Sequence, residues 1–347
     1  MILHFDLDAF FAAVAIRDDP TLAGKPLAIA GTGRRSVVLT ASYEARPYHV
    51  HSALPLSTAL RRCPHLVVVP PNMAAYREAS NAVFAIFADE EPDSIEGLSM
   101  DEAYLAISTN NVEEAIAYAA RIRERVLREV GLTISAGVAT TKMAAKIASD
   151  AGKPNGLFVI QPGTERTYLA PLPVGRLWGI GPKTQDRLES AGIRTIGDIA
   201  LLDDARAFEF FGRWGREARE MARGIDNRPV IGSHKRKSIS TEETFEYDIR
   251  DEERIIAVLK AQATELANDL KARNMRATTI GVKIKKTDFT TIVRQTTLTI
   301  PTETASEIFA AALHCWERSA MSGKPIRLIG TKVANIVEES DRELTLF

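Results

Sequence analysis

Residues 1–7 form an almost unbroken apolar run with acids only at position 6, which predicts a short buried strand. Ala9-Phe10-Phe11-Ala12-Ala13-Val14-Ala15-Ile16 reads as the helix that follows, ended by Asp18-Asp19-Pro20. Strands are expected at 26–30 and 37–39, parted by the turn Gly31-Thr32-Gly33, with short helices leading to Pro70-Pro71. Helical spacing returns over 74–89. A strand over 95–107, a helix over 112–130, a strand over 132–138 and a helix over 142–150 complete this half. Strands and helices mix without a fixed repeat, which predicts an α+β fold rather than a doubly wound sheet.

Beyond residue 161 the pattern changes. Residues 174–224 are helical and punctuated by glycine, and Asn227-Arg228-Pro229 opens a polar link running through Lys235-Arg236-Lys237. Alternating strands and two amphipathic helices, over 251–273 and 304–319, predict a second α+β unit. The end of the chain, from 338, is acidic and then apolar.

At 347 residues roughly two to four compact units are expected. An apolar fraction of 45% with 26% charged residues excludes a disordered chain, and no stretch approaches the ~20 apolar residues of a spanning helix. Two acids inside the first eight residues, with no basic leader, do not make a signal peptide. Cys63 and Cys315 stand alone, without zinc-ligand spacing, which fits a reducing cytoplasm and argues against a disulfide framework. The net charge of −1 hides an asymmetry: residues 270–294 carry seven basic side chains against one acid, Asp288.

The first candidate chemistry is acidic. A carboxylate in a core strand, as at Asp6, calls for a cation or a hydrogen-bond partner. Alternation puts Asp6 and Asp8 on one face, but Asp8 immediately precedes a helix and is expected to cap it. In Ser99-Met100-Asp101-Glu102-Ala103-Tyr104-Leu105 the adjacent acids of a regular strand would face opposite ways, unless the chain turns there. Three acids from two segments suit two Mg²⁺ ions, which favour oxygen ligands and bind phosphates, and a pair of such ions suits in-line displacement at phosphorus.

Phe5-Asp6-Leu7-Asp8-Ala9-Phe10-Phe11-Ala12, together with Ser99 to Leu105, resembles the two catalytic motifs of the Y-family DNA polymerases, most closely their DinB-like branch. The resemblance covers nearly the whole chain. It implies a right hand with a palm (1–17 and 72–160), fingers (18–71) and a helix-hairpin-helix thumb (161–228). A linker (229–239), a separate α+β little finger (240–337) and a tail (338–347) would follow. It implies low-fidelity, template-directed DNA synthesis across damage by a monomer, with Asp6, Asp101 and Glu102 catalytic and the Leu7 carbonyl a further ligand to two Mg²⁺, or Mn²⁺, ions. Phe11, Ala13, Ala15 and Ala106 stand where the family often has Tyr, Ser, Glu and Asp; none of these is a metal ligand.

In Thr40-Ala41-Ser42-Tyr43-Glu44-Ala45-Arg46, read as a helical turn or two stopped by Pro47, Tyr43 and Arg46 share a face. Spacing alone fits an ordinary surface helix as well as a polyphosphate site. The resemblance makes Thr40, Tyr43 and Arg46 triphosphate contacts and adds Lys153, from Lys153-Pro154-Asn155-Gly156, with Lys146 a weaker candidate. Phe10 and Phe11 point about 100° apart on a helix, so one can enter the core while the other meets a ligand. Both are candidate nucleotide neighbours, and by resemblance Phe11 is the steric gate against ribonucleotides. Val37, Leu39 and Ala53 match the family's roof over the nascent base pair.

Trp178-Gly179-Ile180-Gly181-Pro182-Lys183 is a glycine-rich turn opening a helix, a ready site for one DNA phosphate through Gly179, Gly181 and Lys183. Phe211 to Arg216 is a weaker second copy. Lys235, Arg236 and Lys237, with Lys283 and Lys285 on one strand face, are expected to grip the backbone of primer–template DNA without sequence preference. Leu344, Leu346 and Phe347 end an acidic tail like the peptide that docks on a sliding clamp, with Glu343 where Gln is usual. Other readings are a palm-fold nucleotidyltransferase or nucleotidyl cyclase, and an inactive DNA- or clamp-binding homologue.

Overall fold

Alternation along the first strand sorts its side chains between two cores. In β1 (Ile2–Leu7), Leu3, Phe5 and Leu7 are buried on one side, and His4 and Asp6 are buried facing the other way. The computed structural model describes residues 1–232 and 235–338, which divide into a unit of residues 1–32 and 36–232 and a second unit of residues 33–35 and 235–338.

In the first unit β1 is followed by α1 (Phe10–Asp18) and by a small sheet of β2 (Leu27–Ala30), β3 (Val38–Ala41) and β4 (Val67–Val69), with α2 (Leu56–Arg62) between the last two. α3 (Met73–Asp89) leads to the hairpin β5 (Ser94–Gly97) and β6 (Glu102–Ala106). α4 (Val112–Val130), β7 (Ile134–Ala139), α5 (Lys142–Ala151) and β8 (Leu157–Val159) follow. β5-β6-β1-β7-β8 form one five-stranded sheet, antiparallel except for β7–β8, whose strands all lie within 1–17 and 72–160. α4 is held at its start by the Asn111 side chain and buries Ala115, Ala119, Ile122 and Val126 at helical spacing against Phe5, Val83 and Phe87.

Two expectations need correction. Residues 95–107 are a hairpin, not one strand: the Ser99 hydroxyl oxygen accepts from the N–H groups of Asp101 (3.2 Å) and Glu102 (3.1 Å) and turns the chain before β6 begins. Residues 40–46 are not a helix. Thr40 lies in β3, and Ser42 extends that edge, because its N–H reaches the Leu27 carbonyl (2.9 Å) and its hydroxyl accepts from the Leu27 N–H (3.1 Å). Only then does a 3₁₀ helix, Tyr43–Tyr48, begin, with Pro47 inside it rather than ending it.

α5 lies directly on the sheet because residue 137 is glycine. A Cβ there would collide with the Ala145 carbonyl and the Ser149 N–H, so any side chain would push α5 away. Five helices follow, α6 (Glu165–Leu169), α7 (Pro182–Ser190), α8 (Ile196–Ala200), α9 (Asp204–Phe211) and α10 (Gly215–Ala222). The segment leaving them is tied back to the sheet. Glu96 and Lys142, both buried, form an ion pair (2.6 Å); Glu96 also accepts from the Ile231 N–H (2.9 Å), and Lys142 donates to the Pro229 carbonyl (3.3 Å). Asp226 pairs with Arg228 (2.7 Å) and accepts from the Met143 N–H (3.0 Å). Losing one member of such a buried pair costs more than the pair contributes, because the other charge is left without compensation.

The second unit is an antiparallel sheet of β9 (Ser238–Ile249), β10 (Met275–Lys286), β11 (Thr291–Thr302) and β12 (Ile326–Glu338), in the order β11-β10-β12-β9. α11 (Glu252–Ala272) and α12 (Ala305–Glu317) cover one face, burying Leu259, Leu266, Leu270, Ile308 and Trp316 against Ile280, Val282 and Ile284. The other face is a trough lined by Glu242, Thr279, Gly281, Lys283, Gln295 and Lys332.

Candidate active site

The antiparallel register of β1 and β6 sets Asp6 opposite Glu102, and the backbone N–H of Leu7 bonds to the Asp101 carbonyl (3.0 Å). All three acids expected at the centre therefore arrive at one end of the sheet. Leu7, the fourth expected ligand, ends β1 and is buried.

Two lysines face these acids. Lys153 Nζ is 2.6 Å from Asp6 Oδ2, and Lys146 Nζ donates to Glu102 Oε1 at 2.9 Å. Burial pushes the Asp6 carboxyl up to about 7, against the pull of Lys153 and with a further push from Glu102. Burial acts in the same sense on Glu102, but there the bond and charge of Lys146 win and hold it below the ordinary carboxylate range. The pair thus keeps negative charge in a poorly hydrated place only by borrowing two ammonium groups.

Lys146 is itself aimed. His4, fully buried beneath it, lies 2.7 Å from Ser149 Oγ through Nδ1 and 3.5 Å from Lys146 Nζ through Nε2. Since the Ser149 hydroxyl donates to the Lys146 carbonyl (2.8 Å), His4 Nδ1 carries the proton and Nε2 is left to accept. Burial, then Lys146 and Lys153, holds the His4 pKa well below its usual value, so the ring is neutral and its acceptor lone pair stays available. Neither His4 nor Ser149 was singled out in the sequence. Their signal was there in the alternation of β1, which puts His4 on the Asp6 face, and in the three-residue spacing of Lys146 and Ser149.

Asp101 is half-buried and its carboxylate accepts from the Ser99 hydroxyl. Among the described residues no three His, Cys, Asp or Glu side chains close on one metal position. The donor set nonetheless fits a hard divalent ion: two carboxylates in contact, crowded by ammonium groups that stand in for cationic charge, with Asp101 next to Glu102 in the chain and bonded through its backbone carbonyl to Leu7.

Around this centre the remaining candidates separate. Tyr43 and Arg46 do share a face, the guanidinium carbon lying 3.9 Å over the Tyr43 ring centre, while Thr40 is half-buried on β3. Burial, with the nearby Asp8 charge, pushes the Tyr43 hydroxyl up to about 12, so it remains a donor at any working pH. Phe10 is in the core at 2% exposure, so its ring packs inside the fold. Phe11 is half-buried and stacks on Tyr76, with ring centres 4.2 Å apart and planes at 15°. Val37 and Leu39 are exposed, and Ala53 has a φ of 66°.

Asp8 does not cap α1: the N-cap of that helix is Ala9, with φ 45°, and no side chain caps it. The carboxylate instead turns inward and accepts from Ser135, Tyr43 and Asn155. Gly179 has φ 92°, and a Cβ on it would meet the Trp214 ring at 2.9 Å, so this turn needs glycine. Gly181 precedes α7 as its N-cap, and Lys183 is exposed on its first turn. In the second unit Lys283 and Lys285 do share the trough face with Ile284 opposite, but the Lys283 ammonium is held by Glu242 (2.9 and 3.0 Å) rather than free for another anion. Lys285 lies 6.0 Å from the Phe289 ring centre, and Lys235, Arg236 and Lys237 lead into β9. Leu344, Leu346 and Phe347 lie outside the described residues.

Comparison with known proteins agrees with this geometry. The impB/mucB/samB family matches residues 5–150, its C-terminal domain residues 236–346, and the helix-hairpin-helix motif of the same family residues 162–193. The chain is 40% identical to DNA polymerase IV of Halorhodospira halophila over 100% of its length and 98% of that protein's. It is also 40% identical to DNA polymerase IV of Methanoculleus marisnigri, over 100% and 97%. Among solved structures, a Y-family DNA polymerase chimera of Dbh and Dpo4 superimposes with a TM-score of 0.90 at 29% identity, covering 98% of this chain and all of the other. An insertion ternary complex of Dbh DNA polymerase gives 0.71 at 28%, with the same coverage. A palm-like sheet carrying paired acids, joined to a helix-hairpin-helix, defines a right-handed nucleotidyltransferase. The chain belongs to the impB/mucB/samB family, the Y-family DNA polymerases, in their DinB-like branch. It is a DNA-directed DNA polymerase of the translesion class, and enzymes of this class work with divalent metal ions.

Proposed function

We propose that the enzyme extends a primer 3′-hydroxyl on template DNA with Asp6, Asp101, Glu102 and the Leu7 carbonyl holding two Mg²⁺ ions, Mn²⁺ being an alternative. When bound, such ions activate the hydroxyl and neutralise the leaving pyrophosphate. The observation that carries this reading is the pairing of Asp6 with Glu102 on adjacent strands, each carboxylate met by its own lysine.

The chain's residues supply the rest. Lys153 trades its bond with Asp6 for the triphosphate, as a point charge on the leaving group. Tyr43 and Arg46, presented together, bind phosphate oxygens by a hydroxyl and a guanidinium fork, and Thr40 adds a hydroxyl beside them. Phe11, steadied by Tyr76, blocks a sugar 2′-hydroxyl. Gly179, Gly181 and Lys183 receive a DNA phosphate at the start of α7. Lys235 to Lys237, Lys285 and, on leaving Glu242, Lys283 hold the duplex backbone, so DNA affinity falls steeply with salt. We read the enzyme as a monomer that works in the cytoplasm on primer–template DNA and deoxynucleoside triphosphates.

The test is primer extension with Mg²⁺ on undamaged and lesion-bearing templates, wild type against Asp101→Ala. Extension past the lesion by the wild type and loss of at least about a hundredfold in the variant are expected; equal rates would remove Asp101 from the centre. The tail is read as the clamp peptide. Deleting residues 344–347 is expected to leave distributive synthesis within about twofold while removing stimulation by a sliding clamp. Undiminished stimulation would dismiss that role.

A further inference from the structure

Asp8 is 3% exposed, and three donors from three separate parts of the first unit converge on it. Ser135 Oγ on β7 donates to its Oδ1 at 2.8 Å, and the Tyr43 hydroxyl donates to the same oxygen at 3.2 Å. The backbone N–H of Asn155 donates to Oδ2 at 2.8 Å. Asn155 is the third residue of the turn that begins with Lys153, and it stands at φ 47°, a conformation an unheld side-chain-bearing residue seldom keeps. Arg123 grips the same residue from α4, its guanidinium donating to the Asn155 carbonyl (2.6 Å) and Oδ1 (3.0 Å), with a further bond to the Ile134 carbonyl (3.1 Å). The turn is thus pinned by an acid on one side and a base on the other.

A buried carboxylate needs donors, and the strongest arrangement available to it is one in which they are fixed by the surrounding fold. Here two of the three are not scaffold. One is a hydroxyl on the 3₁₀ helix after β3, and the other belongs to the turn that aims Lys153. We propose that Asp8 is a positioning residue for the triphosphate: it anchors the Lys153 turn and, until nucleotide binds, the Tyr43 hydroxyl to the same fixed point on β7, so that both phosphate contacts wait in one register and Tyr43 passes its single proton from Asp8 to a phosphate oxygen on binding. The proposal rests on the reading of Tyr43 and Lys153 as triphosphate contacts. Asp8 touches neither nucleotide nor metal in it and acts through the two residues it holds.

The experiment is steady-state single-nucleotide insertion by the full-length enzyme on primer–template DNA, varying the dNTP concentration. It compares wild type, Asp8→Ala, Tyr43→Phe and the double variant, with the folded fraction checked by circular dichroism. Asp8→Ala is expected to raise the dNTP KM five- to tenfold with kcat within threefold. Tyr43→Phe is expected to raise KM in the wild type and to add little in the Asp8→Ala background, because its hydroxyl has already lost its anchor. Asp8→Asn guards against loss of fold. Its amide oxygen can still accept from the Asn155 N–H while its amide N–H turns towards Ser135 and Tyr43, which reverses the bond to the hydroxyl. Its KM is expected two- to fivefold above wild type, with the Tyr43→Phe effect again reduced. An equal Tyr43→Phe effect in all backgrounds, or a KM that neither Asp8 variant moves, overturns the proposal. If Tyr43→Phe leaves the wild-type KM unchanged, the reading of Tyr43 as a phosphate contact falls as well, and the two failures are thereby told apart.

Discussion

Replacing Asp6 by Asn is expected to lower kcat for primer extension at least about 10³-fold, equivalent to about 4 kcal/mol of transition-state stabilisation, while leaving the melting temperature no lower than that of the wild type. The two halves of this expectation come from one feature. Asp6 is 5% exposed, and burial alone disfavours its charge, as the pKa pushed up to about 7 records. Asn keeps the shape and removes the charge, so the fold is relieved of a desolvated carboxylate. Lys153, which loses its partner, is 24% exposed at its side chain and 3.8 Å from Asp150, so water and a second acid can take it up. Catalysis has no such substitute, because a neutral amide is a poor ligand for a hard divalent ion. Primer extension under saturating dNTP, with thermal unfolding monitored on the same samples, checks both. A melting temperature several degrees below wild type, with activity falling only in proportion, would mean that Asp6 serves the fold and not the reaction.

How much of this was legible in the sequence depended on whether a residue's partner lay near it in the chain. β1, α3, α4, α5 and the two helices of the second unit were readable because each carries its own periodicity, and the asparagine and threonine that start α4 and α5 are local signals. The turn at 98–101 was not, because a single serine hydroxyl bonding two N–H groups makes it, inside an otherwise strand-like run. Thr40 was misplaced for the same kind of reason: Ser42, which prolongs the strand, finds its partner fifteen residues earlier, at Leu27. Asp8 was taken for a cap because the helix after it is adjacent in sequence. Its real partners are 35, 127 and 147 positions away. The Glu242 partner of Lys283 was out of sight because it lies on β9, with β12 between it and β10, 41 residues distant. Motif residues were therefore easier to find than the groups that hold them.

The Phe11–Tyr76 stack shows what that distinction predicts. Phe11→Ala is expected to raise incorporation of ribonucleotides relative to deoxyribonucleotides at least tenfold, and on the order of a hundredfold when the ring is the sole obstacle, since a steric rejection of a hydroxyl is lost outright while the site's polar contacts are unchanged. The ring does not work from α1 alone. Phe10, its neighbour, is in the core, which fixes the helix rotation, and Tyr76 on α3 lies flat beneath Phe11 at 4.2 Å, which fixes the ring plane. Tyr76→Ala removes that support but keeps the gate. It is therefore expected to loosen sugar discrimination by less than Phe11→Ala, and to lower thermal stability as well, because Tyr76 is 1% exposed and its loss leaves a cavity. Phe11→Ala, at a half-buried site, is expected to cost less stability. Competing dNTP and rNTP insertion opposite one template base, measured as the ratio of kcat/KM for the two, reads the effect directly. Equal ratios in wild type and Phe11→Ala would leave the stack as packing between α1 and α3 and move the gate elsewhere.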